Sequence, residues 1–298
     1  MESMSRFMLK WKIKSTDVGK SVKEFLKEQM ISKTALTDIK FHGGKITVNE
    51  HEVNVRYPLQ INDVLIITFP EEEPSEGLIP ERISLDIVYE DEYVLVINKP
   101  QGMNTIPSRE HPTGSLANGL IHYFQSIKLQ ATTHIVTRLD RDTSGLVLVA
   151  KHRHVHHLLS QQQKSGLIKR MYVAFAEGVF QTNSGSIEEP IGRSDTSIIE
   201  REVRRDGQYA LTHYRVIGQF PAFTWLELQL ATGRTHQIRV HLSYIGHPLL
   251  GDDLYGGRMD LMNRQALHCK QLLFKHPFLN ETLQFSSELP DDMKKILS

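Results

Sequence analysis

The stretch Glu71-Glu72-Glu73-Pro74-Ser75-Glu76-Gly77 most constrains what this chain can fold into. Four carboxylates with a Pro and a Gly, and no apolar periodicity, cannot offer a core-facing side to either a helix or a strand. Burial must therefore be organised separately on its two sides. The reading is a small front domain over residues 1–70, an exposed acidic linker over 71–85, and a large domain over 86–298. With 298 residues, 40% of them hydrophobic, the chain is long enough for both and is not a disordered protein.

The front domain changes period along its length. Val18, Val22, Phe25 and Leu26 fall at helical spacing with lysines between them, which predicts an amphipathic helix over 18–28. A second helix is expected to start at the capping residue Ser32, carry Leu36 and Ile39, and end near Gly43-Gly44. Lys45 to Asn49 then alternates as a strand. Asn49-Glu50-His51-Glu52 can turn, Val53 and Val55 resume the alternation, and Val64, Ile66 and Thr68 make one more strand.

In the large domain, strands are expected at Val94–Ile97, Leu146–Val149, Tyr172–Phe175, Leu211–Ile217, Trp225–Leu230 and Leu272–Phe274. Helices are expected at Ser115–Phe124, Val155–Gln163 and Arg234–Ile245. Strands outnumber the helices that could serve as crossovers. That argues for an α+β fold with a mixed, mainly antiparallel sheet rather than a doubly wound parallel one.

Charge and cysteine content narrow the function only slightly. The 35 basic and 35 acidic residues cancel, so any surface for a polyanion must be local. Residues 1–70 are mildly basic, with eleven Lys or Arg against eight Asp or Glu. Cys269 is the single cysteine, which excludes an internal disulfide, suits a reducing compartment and reads as a small buried apolar residue. No apolar run approaches the ~18 residues of a membrane span, and Met1 to Arg6 lacks the apolar core of a signal peptide. A cytoplasmic protein is expected.

The residues that carry chemistry are concentrated in Thr137-Arg138-Leu139-Asp140-Arg141-Asp142-Thr143-Ser144-Gly145, directly before an apolar strand. Two carboxylates, two guanidiniums and three hydroxyls in nine positions are not core patterning. Arg138 and Arg141 are placed to hold Asp140 ionised, and Thr143 and Ser144 to satisfy nearby backbone groups. By itself the run suits a reactive carboxylate and a structural charged turn about equally.

The run from Arg138 to Leu146 resembles the catalytic motif of the RluA-type pseudouridine synthases, and further blocks extend the resemblance over about residues 86–290. These are Asn98-Lys99-Pro100 with Gly102, Lys169-Arg170-Met171-Tyr172-Val173-Ala174, Thr232-Gly233-Arg234-Thr235-His236-Gln237-Ile238-Arg239-Val240-His241, Gly246-His247-Pro248 with Gly251-Asp252, and Ala266-Leu267-His268 with Leu273-Phe274-Lys275-His276-Pro277. A set in this order is far more specific than a lone motif. The front domain, with Gly44-Lys45-Ile46-Thr47-Val48-Asn49, resembles the RNA-binding domain of ribosomal small-subunit protein S-four.

The resemblance implies isomerisation of uridine to pseudouridine, with Asp140 as catalytic aspartate, Tyr172 as active-site tyrosine and Arg234 as the arginine that pairs with the aspartate. Ile238, Arg138 and Leu139 would line the substrate pocket, Arg234 and Ile238 sharing a helix face at i, i+4. Thr137 departs from the family, which usually has His there, and is expected to alter how a flipped nucleotide is held. The partner implied is structured RNA, ribosomal in preference to transfer RNA, with a non-catalytic RNA-binding or ribosome-assembly factor as the alternative from another class and a carboxylate-dependent nucleosidase as a third. Candidate RNA contacts are Lys33, Lys40, Lys151, Arg153, Arg204 and Arg205.

No cofactor is expected, since Gly-rich phosphate loops are absent, and no metal. His152, His154, His156 and His157 lack carboxylate or Cys partners, and His236 and His241 miss the i, i+4 spacing of a helical ligand pair. A monomer is expected.

Overall fold

A computed structural model of the chain describes residues 6–297; the Met1–Ser5 start, read above for a leader segment, lies outside them. The front part runs β1 (Met8–Lys12), α1 (Val22–Glu28), α2 (Lys33–Phe41), β2 (Lys45–Val48), β3 (His51–Glu52) and β4 (Val64–Thr68). Its four strands pair antiparallel in the order β1-β4-β2-β3. Val22, Phe25 and Leu26 of α1 and Ile39 of α2 close over Leu9, Ile46, Val48, Leu65 and Ile67 of the sheet.

Local chemistry explains the boundaries. Ser21 caps α1 in a reciprocal box with Glu24, so the helix begins at Val22, and the positive φ of Gly19 keeps Val18 outside it and exposed, contrary to the predicted start at 18. Ser32 caps α2 as its sequence predicts, accepting the Ala35 N–H. Asn49 and Glu50 both take positive φ, the geometry of a tight hairpin, and the Asn49 amide ties the turn to Asp63 and to the Val64 N–H. Strand pairing past that turn stops at Glu52; Val53 and Val55 pack on the core outside any strand.

The remainder runs β5 (Ile87–Glu90), β6 (Val94–Lys99), α3 (Leu116–Ser126), β7 (His134–Ile135), β8 (Ser144–Ala150), α4 (Arg153–Lys164), β9 (Lys169–Glu177), β10 (Ser184–Glu188), β11 (Ile191–Arg193), β12 (Arg201–Val203), β13 (Leu211–Gln219), β14 (Phe223–Leu230), α5 (Gln237–Tyr244), β15 (Leu267–Lys275), β16 (Thr282–Ser286) and α6 (Asp291–Leu297). The main sheet follows the order β10-β13-β14-β9-β15-β8-β6-β5, with β16 on β15 and β7 on β8, and β11 and β12 form a separate ribbon. Only β15 and β8 run parallel among the described strands, so the sheet is mixed and mainly antiparallel, as expected.

The central strands β6 and β8 are buried along nearly their whole length, and Leu116, Leu120 and Phe124 of α3, Val155 and Leu159 of α4, and Ile238 and Leu242 of α5 join their core. No described helix is long and apolar enough to cross a membrane.

The helix predicted over 234–245 starts three residues late, because His236 sits in the left-handed region at φ 56° and breaks the helical run. The acidic stretch is exposed apart from Glu72, whose carboxylate meets His134 and the Arg153 N–H. Nearby, Phe7 stacks on His152 at 4.0 Å and Phe69 on His154 at 5.4 Å, seating the front sheet against α4.

Candidate functional site

Asp140 lies in the loop between β7 and β8, with its side chain 28% exposed. Side chains from distant segments fix that loop by its backbone. Thr105 donates to the Leu139 carbonyl at 2.6 Å and accepts from the Leu139 N–H, Lys99 Nζ donates to the Arg141 carbonyl, and Arg264 Nη1 donates to the Asp142 carbonyl. Lys99 also donates to the carbonyls of Pro100 and Met103, so one buried ammonium joins the Asn-Lys-Pro turn to the Asp140 loop. Burial pushes Lys99 down to about 7, against the pull of the Asp140 and Asp142 carboxylates. Downstream, a Cβ on Gly145 would lie 2.3 Å from the Cys269 carbonyl, so β8 and β15 can run side by side only because this position is Gly. Cys269 itself is fully buried, as its sequence context predicts.

The guanidinium beside Asp140 belongs to Arg239 and not to Arg234. Arg239 Nη1 is 3.3 Å from Asp140 Oδ2, while its Nε and Nη2 grip the fully buried Asp252 at 2.7 and 2.8 Å. Arg234 precedes α5, is exposed, and donates from Nε to the Tyr209 carbonyl. Its expected i, i+4 partnership with Ile238 fails because the helix has not begun at 234. Arg138 and Arg141 do not pair with Asp140 either: Arg138 points outward with no hydrogen-bond partner among the described residues, and Arg141 Nε reaches the Gly102 carbonyl. Thr143 and Ser144 bond to the side chains of Gln265 and His268 rather than to local backbone.

Tyr172 is on β9, opposite Cys269 of β15 and Leu228 of β14. It is buried, its hydroxyl accepts from Arg170 Nη1 at 3.1 Å, and burial holds its phenol far above the usual range. Tyr172, Leu139 and Ile238 belong to one continuous apolar cluster.

His236, beside Asp140, was missed as a site residue. Its Nε2 is 3.9 Å from Asp140 Oδ2 and its Nδ1 is 2.7 Å from the Tyr255 hydroxyl. That hydroxyl also accepts the Arg201 N–H; donating its own proton to His236 Nδ1 leaves the imidazole to present Nε2–H to Asp140. Burial lowers the His236 pKa, which favours this neutral form. Oδ1 of Asp140 has no hydrogen bond among the described residues, so one carboxylate oxygen is held and the other is free.

Thr137 is buried and its hydroxyl accepts the Leu148 N–H at 2.9 Å. Its side chain is thus turned into the fold and spent on the β8 backbone. Among the candidate RNA contacts, Lys33, Lys40 and Arg205 are exposed, and Arg153 is exposed but 3.3 Å from Asp38. Two are otherwise engaged: Lys151 is buried on Glu90 and the Asp91 carbonyl, and Arg204 is taken by Asp195 and Asp206. No cluster of three or more described His, Cys, Asp or Glu residues is arranged to hold a metal. His152 and His154 are buried, each pushed down to about 4 by that burial.

Arg239 and Asp252 stood in the sequence blocks already quoted. The missing signal was the helix start, which decides which of the two arginines, five residues apart, faces inward.

A sequence profile described as RNA pseudouridylate synthase matches residues 93–244. The chain is 54% identical to the uncharacterized RNA pseudouridine synthase YjbO of Bacillus subtilis (strain 168), over 93% of this chain and 98% of that protein. It is 38% identical to ribosomal large subunit pseudouridine synthase D of Yersinia pestis, over 86% of this chain and 82% of that one. Among solved structures, human RNA pseudouridylate synthase domain containing 1 superposes with a TM-score of 0.58 at 26% identity, covering 72% of this chain and 86% of that chain.

Proposed function

The chain belongs to the RNA pseudouridylate synthase family, and on that premise we propose that it isomerises specific uridines of large-subunit ribosomal RNA, with Asp140 as the reacting carboxylate. The observation that carries the assignment is the state of Asp140: one oxygen bound toward Arg239, the other open, in a partly exposed loop fixed by Thr105, Lys99 and Arg264. The choice of ribosomal RNA rests on relatives named ribosomal large subunit pseudouridine synthase D.

The reaction breaks the bond from ring nitrogen to ribose, turns the uracil and rejoins it through carbon five, with no redox step and no net hydrolysis. The free Oδ1 of Asp140 serves either attack on the anomeric carbon or removal of the proton on the neighbouring ribose carbon. Arg239 supplies the positive charge that holds the carboxylate, and its own position is fixed by Asp252. Tyr172 offers a ring for the uracil to stack on, with its hydroxyl near the carbon that must lose a proton. A stacked uridine has to leave the helix to reach this pocket, at a cost of a few kcal/mol, so the RNA is gripped elsewhere as well. The exposed Lys33 and Lys40 on α2 and Arg205 support a share in that grip for the front domain and the β12 region.

The test is to incubate in-vitro-transcribed large-subunit ribosomal RNA with the wild type and with Asp140→Asn, then map pseudouridine by adduct-dependent reverse-transcription stops. New stops with the wild type that vanish with the variant are expected. No new stops with the wild type would refute the assignment, and free uracil in the supernatant would assign a nucleosidase instead.

A further inference from the structure

A second basic site, connected to Asp140 through Tyr255 and His236, lies at the β11–β12 ribbon. The β11–β12 ribbon and the turn at 233–235 border an open cavity of about 360 Å³ whose lining includes Arg193, Arg201 and Arg234. Asp206 is the single carboxylate on its wall among the described residues, and Arg204 already holds both of its oxygens, at 2.6 and 3.0 Å. Arg204 also takes Asp195 at 2.8 Å. Glu200 and Glu202 do not line the cavity.

The lining is therefore an unbalanced cluster of guanidiniums in a chain whose net charge is zero. Arg193 and Arg201 are direct cross-strand partners, an arrangement of like charges that destabilises a ribbon unless an anion lies between them. Arg193 has no side-chain partner among the described residues, and Arg234 spends only Nε, on the Tyr209 carbonyl. Arg201 turns Nη1 to the carbonyls of Ile199 and Glu200.

Two further observations favour a nucleic-acid strand over a small anion. The cavity is connected to the reacting carboxylate by a short chain of contacts: the Arg201 N–H bonds Tyr255, Tyr255 bonds His236, and His236 is 3.9 Å from Asp140. The tip of the same hairpin carries Ile198 and Ile199, 81% and 56% exposed, in a turn fixed by the Ser197 hydroxyl. Bare isoleucines beside a cluster of arginines suit a polyanion that also has apolar faces, which is the chemistry of RNA.

We propose that this cavity is a phosphodiester subsite, holding the RNA strand beside the nucleotide that enters the Asp140 pocket while Ile198 and Ile199 pack on a neighbouring base. The inference rests on RNA being the substrate. It gives Arg234 a binding role in place of the pairing role that its motif implies.

The experiment is to titrate in-vitro-transcribed large-subunit ribosomal RNA with the full-length wild type, Arg193→Ala, Arg234→Ala, Arg193→Lys and Ile198→Ser/Ile199→Ser at several KCl concentrations. Each alanine variant is expected to weaken binding about tenfold and to flatten the plot of log affinity against log salt by roughly 0.7 to 0.9. Arg193→Lys should restore the slope, because it keeps the charge. The isoleucine variant should weaken binding with its slope unchanged. Wild-type slopes in both alanine variants would overturn the subsite, as would a loss of affinity in Arg193→Lys equal to that in Arg193→Ala. Binding is read without turnover, so a wild type that binds in this way but makes no pseudouridine would refute the proposed reaction and leave the subsite standing.

Discussion

Nη1 of Arg239 lies 3.3 Å from Oδ2 of Asp140. The other face of the same guanidinium is committed to Asp252, which is fully buried and has no solvent to turn to. A structural ion pair thereby aims a positive charge at the reactive carboxylate, and stability and chemistry share one side chain.

Arg239→Ala should therefore unfold the protein more readily, by about 3–5 kcal/mol, since it strands Asp252 as an unpaired buried charge. Adding Asp252→Ala should recover most of the melting temperature and none of the turnover. If the double variant regains pseudouridine formation along with stability, Arg239 acts through folding alone.

Tyr255→Phe removes the hydroxyl that bonds His236 Nδ1 at 2.7 Å. Turnover is expected to fall by about tenfold, the value of one hydrogen bond at ~1.4 kcal/mol. The ring-nitrogen NMR signals of His236 should report loss of the pure Nε2–H form. Unchanged signals would mean that Tyr255 does not set the tautomer.

Lys99 gives a pH signature. Its folded pKa of about 7 is far below the ordinary 10.5, so between those values the unfolded chain carries more protons. Stability should then rise with pH across that window, its penalty being fully present below about 7. Lys99→Met should flatten the rise measured from about pH 7 to 10 by denaturant melts. A slope equal to the wild type's would show that other groups produce it.

Acid should act on the seat between the front sheet and α4. His152 and His154 titrate at about 4 in the fold against an ordinary 6.5, and neither ring nitrogen of His154 has a hydrogen-bond partner among the described residues. The unfolded state again binds more protons between the two values, so stability is complete above 6.5 and falls as the pH drops toward 4. His154→Phe, which keeps a ring between Phe69 and Phe278, should lose less melting temperature between pH 7 and 5 than the wild type. Equal losses would remove His154 from the acid response; His268, also pushed down to about 4, would account for part of what remains.

Most of the frame was legible from pattern. The apolar runs at Leu146–Val149 and Tyr172–Phe175, the cap at Ser32 and the helix start at Ser115 depend on neighbours a few residues away and appear where the local pattern puts them. The strand β1 was not read, because Lys10 and Lys12 dilute a run in which only Leu9 is buried.

The sequence by itself determined the α+β class, the family and Asp140 as the carboxylate of interest, because ordered motifs and local hydrophobic period are properties of the chain alone. Only the tertiary structure decided what surrounds Asp140. Whether Arg234 or Arg239 faces it depends on one left-handed residue, His236, that delays a helix, and on a buried carboxylate, Asp252, that anchors one of the two guanidiniums. Thr137 and Lys151 look like surface chemistry in the sequence and prove to be buried hydrogen-bond donors and acceptors. Pairing between residues about a hundred positions apart is set by how the elements pack, and no local periodicity encodes it.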